Sequence, residues 1–243
     1  MNEKVFDRIE KKYLITKAQK DTILKSIKNN MHQDGYYLSE VMNIYFDNDN
    51  YDLIIQSIDR PAFKEKIRAR SYGGYDRVFL EIKTKIKGKE GNIGYKRRVM
   101  ITRDDFNGLT KEKNNLIELA QKSIETENDL QIAKEADYLI SKFDLKPKIF
   151  VIYDRESYKN EDGLRVTFDE NLKYRTKNLS FVKGKRDKIY FKNKPNNIIM
   201  EIKAGGVMPL WLVKKMSELK IYPVQFSKIG KIYERIMRSG KEE

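Results

Sequence analysis

Cysteine is absent from the 243 residues, which excludes disulfides, thiolate metal sites and cysteine nucleophiles. Histidine occurs once, as His32, near the end of a predicted helix in polar surroundings, so no chemistry is assigned to it. Tryptophan also occurs once: Trp211 lies with Leu210, Leu212 and Met216 on a predicted helix and is expected in the core. No apolar run approaches the roughly 20 residues a membrane span requires. The opening MNEKVFDRIEKKY is too charged for a secretory signal, so a soluble, cytoplasmic protein is expected. The G-x-x-x-x-G-K-[ST] phosphate loop is missing, and Gly205-Gly206 lacks its spacing and reads as a turn. No linker, repeat or low-complexity tract divides the chain, and one domain over residues 1–243 is expected.

What the chain has in excess is positive charge. Fifty Lys and Arg oppose 36 Asp and Glu, a formal balance of +14 that favours a polyanionic partner. The charge is also patterned. In Ala62–Ile86, Lys64, Lys66, Arg68 and Arg70 alternate with Phe63, Ile67 and Ala69; after Gly73-Gly74, Glu81, Lys83 and Lys85 alternate with Val78, Leu80, Ile82 and Ile86. Side chains alternate across a strand, so each strand has one apolar and one charged face.

The same pattern recurs along the chain. Phe6–Ile15 is a predicted strand with Arg8, Glu10 and Lys12 on one face, followed by a helix from the Thr16 cap to about Lys28. Val41–Asp47 is a strand and Asn48–Ser57 a short helix after an Asx-type cap. A Gly88–Gly94 loop leads to a strand over Gly94–Thr102 carrying Lys96 and Arg98. A helical insertion spans about 103–145, with a turn at Asp104–Leu109 and a helix over Asn114–Phe143 broken near Glu127–Asp129. Strands follow at Lys148–Tyr158, with Tyr153 and Arg155, and at Gly163–Lys173, with Arg165, Thr167 and Asp169. Asn178–Phe191 is irregular and basic; Asn197–Ala204 is a strand with Glu201 and Lys203; Met208–Leu219 and Phe226–Met237 are closing helices.

A single strand of this kind usually has one solvated face. Seven together, with apolar opposite faces and helices to cover them, point to charged faces that look at one another, as in a closed barrel wide enough for a small ligand. The expected fold is α+β, an antiparallel eight-stranded β-barrel surrounded and plugged by helices. Facing cations inside it would each cost several kcal/mol unless paired, so about that much must be offset by a multiply charged anion. Forked Arg donors and Lys point charges suit a chain of phosphates. Glu10, Glu81 and Glu201 suit Mg²⁺ or Mn²⁺ bridging those phosphates, or else neutralise neighbouring lysines.

These segments form a set. FDRIEKKYLI (6–15), NIYFDNDNYD (43–52), FKEKIRARSY (63–72), FLEIKTKIKG (79–88), YKRR (95–98), YDRESY (153–158), LRVTFD (164–169), IIMEIKAGGVMP (198–209) and QFSKIGKIYE (225–234) span nearly the whole chain. In this order they resemble the catalytic-domain family of vacuolar transporter chaperone (VTC) polyphosphate polymerases, within the triphosphate tunnel metalloenzymes. The resemblance implies an eight-stranded antiparallel tunnel. It implies a metal-dependent enzyme, typically using Mn²⁺, that moves the γ-phosphate of a nucleoside triphosphate, ATP first, onto a growing polyphosphate chain.

By motif, Lys12, Arg68 and Arg70 hold phosphates, with Lys83, Lys96, Arg98, Arg155, Lys203 and Lys228 as further contacts and Glu201 as metal ligand. Arg68, Arg70, Lys83 and Arg155 are expected to clamp the reacting phosphates. Glu10 joins the metal site, and Arg8, Lys66, Lys85 and Arg165 complete the phosphate-binding set. The superfamily's opening E-x-E-x-K reads Arg8-x-Glu10-x-Lys12 here, and the family's S-K-Y reads Ser227-Lys228-Ile229.

Two other classes compete with a polymerase. One is a hydrolase of tripolyphosphate, nucleoside triphosphate or RNA 5′-triphosphate on the same fold; the other is a non-catalytic polyphosphate binder. Nucleic acid is disfavoured because the aromatics lie on predicted core faces rather than on a stacking platform, Tyr72, Tyr75 and Tyr95 excepted. Oligomeric state is left open by the sequence.

Overall fold

A computed structural model describes residues 8–59, 61–73, 76–88, 91–111, 118, 124–182, 187–192 and 194–239. Phe6, Gly74, Tyr75 and most of the first part of the long predicted helix lie outside the described residues, as does the side chain of Arg8. The elements are β1 (Arg8–Ile15), α1 (Lys17–Ile27), β2 (His32–Asp47), α2 (Asp52–Asp59), β3 (Phe63–Tyr72), β4 (Arg77–Gly88), β5 (Gly91–Thr102) and α3 (Arg103–Lys111). Then come α4 (Glu127–Lys142), β6 (Lys146–Lys159), β7 (Arg165–Arg175), β8 (Lys188–Ile189), β9 (Ile198–Gly205), α5 (Leu210–Glu218) and α6 (Lys228–Ser239).

The strands follow the hydrogen-bonded order β1-β9-β7-β6-β2-β3-β4-β5, with β8 beside β7. The β1–β9, β9–β7, β2–β3, β3–β4 and β4–β5 ladders are all antiparallel. This path is open. It ends at β1 and β5, and among the described residues no ladder joins them. The α+β antiparallel sheet is as expected, but the closed eight-stranded barrel is not what the ladders form. The inference to closure assumed that charged faces must look at one another. In the structure, carboxylates on neighbouring strands offset part of that cationic charge on the same face without closure, as Glu81 does for Arg68 and Lys96 and Glu201 for Lys12.

Two compact units result, each assembled from separate stretches of chain. Unit 1 comprises Met1–Glu40, Tyr153–Lys173 and Ile189–Ser227; unit 2 comprises Val41–Ile152, Tyr174–Lys188 and Lys228–Glu243.

Unit 1 is built on the apolar faces of β1, β7 and β9. Tyr13 and Ile15, Val166 and Phe168, and Ile198, Met200 and Ile202 meet Ile23 and Ile27 of α1 and Leu212 and Met216 of α5. Thr16 caps α1 through a complete capping box: its hydroxyl accepts from Gln19 N–H, and Thr16 N–H donates to the Gln19 side chain. Gly206, with φ of +93°, ends β9 in a conformation that favours glycine. Trp211 packs against this core as expected, whereas Leu210 is 75% exposed, because the helix starts there and turns its first residue outward.

Unit 2 is built on the alternate residues Met42, Ile44 and Phe46 of β2, Ile67 and Ala69 of β3, Val78, Leu80 and Ile82 of β4, and Val99 and Ile101 of β5. Phe106, Ala133, Ala136 and Leu139 cover them from α3 and α4. The break expected near Glu127–Asp129 is the true start of α4, where the Thr126 hydroxyl accepts from Asp129 N–H. The Asx cap is also present, but α2 starts only at Asp52. Asn48 accepts from Asn50 and Asp52 N–H, while the buried Asp47 carboxylate accepts from Leu53 and Ile54 N–H.

Three expectations fail locally. His32 opens β2 rather than closing a helix, because β2 begins nine residues before Val41. Phe63 and Ile86, assigned to the apolar core face, are 51% and 38% exposed at the end of that face. The Gly88–Gly94 loop is shorter, since Gly91 already pairs with Gly88. No described helix is long and apolar enough to cross a membrane.

Candidate functional site

The predicted residues fall on the charged faces of the two units. In unit 2 the register aligns them in rows. Tyr45, Arg68, Glu81 and Arg98 are successive cross-strand partners on β2, β3, β4 and β5, and Lys66, Lys83 and Lys96 form the next row. Lys85 lies opposite Lys64 and Gly94, one row further out.

Glu81 is the centre of this face and is only 1% exposed. Arg68 donates to it from Nε at 2.8 Å and reaches it with Nη2 at 2.6 Å. The Lys96 ammonium lies 2.6 Å from its other oxygen, and Arg70 Nε stands 3.8 Å away. Burial pushes the Glu81 carboxyl up, but the three cations outweigh it and hold it down at about 2. Lys96 is drawn below its ordinary value by burial, against the pull of Glu81. Glu81 is therefore a counter-ion here; cations, rather than open oxygen sites, surround it.

Sequence reasoning missed two supports of this cluster. Arg70 Nε donates to Asn43 Oδ1 at 2.9 Å, and Arg68 Nη1 donates to the Tyr45 hydroxyl at 3.2 Å, with Arg68 Cζ 5.9 Å from that ring's centroid. Asn43 and Tyr45 alternate with Met42, Ile44 and Phe46, so the signal was a polar i, i+2 pair rather than a charged one. Arg98 lies 4.8 Å over the Phe79 ring. Arg97 points to the opposite face, donating to Glu135 of α4 and to Thr84. Lys228 is the first residue of α6 in the same unit.

Unit 1 has two comparable rows across β1, β9 and β7: Glu10, Lys203 and Arg165, then Lys12, Glu201 and Thr167. Glu201 lies 3.1 Å from Lys203 and 3.7 Å from Lys12, and Lys203 lies 3.7 Å from Glu10. Lys12 also donates to the carbonyl of Phe226. Arg155 makes a forked pair with the buried Asp169, at 2.7 and 2.8 Å, and sits 5.3 Å from the Tyr153 ring. Burial works against the Arg155 charge, but Tyr153 and Asp169 raise its pKa further. Arg165 is held by Asp34 at 2.9 Å, a contact that the unrecognised early start of β2 supplies, and it donates to Ser157 of β6. Arg8 starts β1 opposite Gly205.

Among the described residues, no group of three or more His, Asp or Glu is arranged to hold a metal ion. Glu10 and Glu201 nevertheless share one face, bridged by the Lys203 ammonium. One or two carboxylates completed by phosphate oxygens and water is the donor set Mg²⁺ takes in phosphate sites, so these residues fit such an ion. Tyr95 is half exposed, as expected for an aromatic outside the core.

Comparison with known proteins adds a second line of observation. The VTC domain model matches residues 7–235. Over 144 residues the chain is 26% identical to Vacuolar transporter chaperone complex subunit 4 of Schizosaccharomyces pombe, covering 54% of this chain but only 20% of that protein. Among solved structures, the putative adenylyl cyclase HpAC1 from Hippeastrum, reported with a dominant triphosphatase activity, is 15% identical with a TM-score of 0.52 over 96% of each chain. A putative adenylate cyclase from Vibrio parahaemolyticus is 11% identical with a TM-score of 0.47, covering 94% of this chain and 98% of that one. The Hippeastrum likeness is one of fold.

Proposed function

Because the chain belongs to the VTC domain family, we propose that it is a metal-dependent polyphosphate polymerase, moving the γ-phosphate of a nucleoside triphosphate, ATP first, onto a growing inorganic polyphosphate chain. The observation that supports this most is the convergence of Arg68, Arg70 and Lys96 on the buried Glu81. Three cations to one carboxylate leave a net positive cluster with oriented donors, the complement of an oligophosphate.

Phosphoryl transfer needs little covalent work from protein; positioning and charge stabilisation dominate. Arg68 and Arg70 present their guanidinium groups to phosphate oxygens, fixed from behind by Tyr45 and Asn43. Lys83, Lys66, Lys85, Lys96 and Arg98 extend that face, and Lys228 adds a further contact. In unit 1, Lys12, Lys203, Arg8 and Arg165 bind phosphate, and Asp169 holds the Arg155 fork ready to do so. Glu201, with Glu10, would hold the divalent ion. When bound, Mg²⁺ or Mn²⁺ withdraws charge from the phosphate oxygens. A terminal phosphate oxygen of the product bonds to the γ-phosphorus as the bond to the β–γ bridging oxygen breaks and nucleoside diphosphate leaves, so no protein nucleophile is required. The substrates are nucleoside triphosphate and polyphosphate, and the proposed setting is the cytoplasm.

The test is to incubate the purified chain with ATP and Mn²⁺, resolve products by gel and assay free phosphate. A ladder of long phosphate polymers is expected, lost in Arg68→Ala. Stoichiometric free phosphate without a ladder would replace this reading with a triphosphate hydrolase, and neither product would leave a binding module.

A further inference from the structure

On the charged face of unit 1, Thr167 is an exception. The residue is 5% exposed, and its Oγ1 is buried with no hydrogen-bond partner among the described residues. Its neighbours along β7 are engaged: Arg165 with Asp34 and Ser157, and Asp169 with both nitrogens of the Arg155 fork. Its cross-strand partner Glu201 lies between the ammonium groups of Lys203 and Lys12. The residues flanking Thr167 in sequence, Val166 and Phe168, point into the core, so the hydroxyl belongs to the charged face and not to the packing.

A native fold rarely buries a hydroxyl with no partner, and each instance calls for an explanation. Space-filling does not supply one, because valine has nearly the same shape and would avoid the desolvation of the oxygen. The hydroxyl proton can rotate toward an acceptor that arrives later. An anion attracted by Lys12 and Lys203 brings such acceptors to this row.

We infer that the Thr167 hydroxyl is a substrate-contacting donor of unit 1, hydrogen-bonding a phosphate oxygen of an oligophosphate held in the Lys12–Glu201–Thr167 row. This rests on the reading that the face binds oligophosphate, and it adds a neutral donor to a set otherwise made of cations. A neutral hydroxyl adds no repulsion among those cations, and it contributes direction where lysine contributes charge.

The experiment is calorimetric titration of the full chain with inorganic tripolyphosphate in the presence of Mg²⁺, for wild type, Thr167→Val and Thr167→Ser. The valine variant is expected to bind about tenfold more weakly, and the serine variant to stay within about twofold of wild type. Thermal unfolding without ligand should place the valine variant at or above wild type, since it removes an unsatisfied oxygen. Wild-type affinity in Thr167→Val overturns this inference and leaves the proposed function standing. Equal losses in both variants with a lowered unfolding temperature mean a packing role and overturn it as well. Failure of the wild type to bind tripolyphosphate overturns both.

Discussion

Glu81 shows how a single buried carboxylate organises cations that would otherwise repel one another. Its ordinary value is 4.5, and the folded protein holds it at about 2. A depressed carboxyl contributes stability that is fully present above the unfolded value and is lost as pH falls toward the folded one. That contribution is of the order of 3 kcal/mol, since one unit corresponds to about 1.4 kcal/mol. Glu81→Gln should therefore be less stable than wild type at neutral pH, with the difference shrinking between about pH 5 and pH 2. Chemical denaturation across that window measures it, and a constant difference would show that the cations do not depend on the Glu81 charge. The sequence carried the alternation that puts Arg68, Arg70, Glu81 and Lys96 on one face. It did not carry register, and only register distinguishes Glu81 as a counter-ion from Glu81 as a metal ligand.

Elements were most legible where one short-range rule decides them. The Thr16 cap fixes the start of α1 where the sequence places it, through bonds the helix end needs; Thr126 caps α4 in the same way, but the sequence shows that start only as a break in a longer helix. The first nine residues of β2 were invisible because most are exposed on both faces and so carry no period-two apolar signal. Lys20 was hidden for the opposite reason: a lysine on the apolar side of α1 has no pattern that announces its partners. It is 4% exposed, 2.5 Å from Glu156 and bonded to Glu170; Glu156 also accepts from the Tyr37 and Tyr158 hydroxyls. Burial opposes the Lys20 charge, but the two carboxylates raise its pKa overall. Lys20→Met removes the cation and leaves Glu156 without its compensation, at an expected cost of about 3 kcal/mol. Thermal unfolding reads this directly: the midpoint should fall clearly, and adding Glu156→Gln should recover part of the loss. An unchanged midpoint would mean that the network does not help fasten α1 within unit 1.

For the whole molecule, the formal charge of +14 pointed to a polyanion, and the family match over residues 7–235 agrees with segments read in order along the chain. Closure of the sheet was not legible, because alternation states which residues share a face and says nothing about which strands end a sheet. The account's central claim is that phosphate is transferred to phosphate on these charged faces, not released to water. Following a radiolabelled γ-phosphate from ATP in the presence of a divalent ion tests it most directly, with wild type and Arg68→Ala run side by side. The prediction is label in long, acid-labile polymer for wild type and none for the variant. Label recovered wholly as orthophosphate, or polymer made equally by Arg68→Ala, would contradict it.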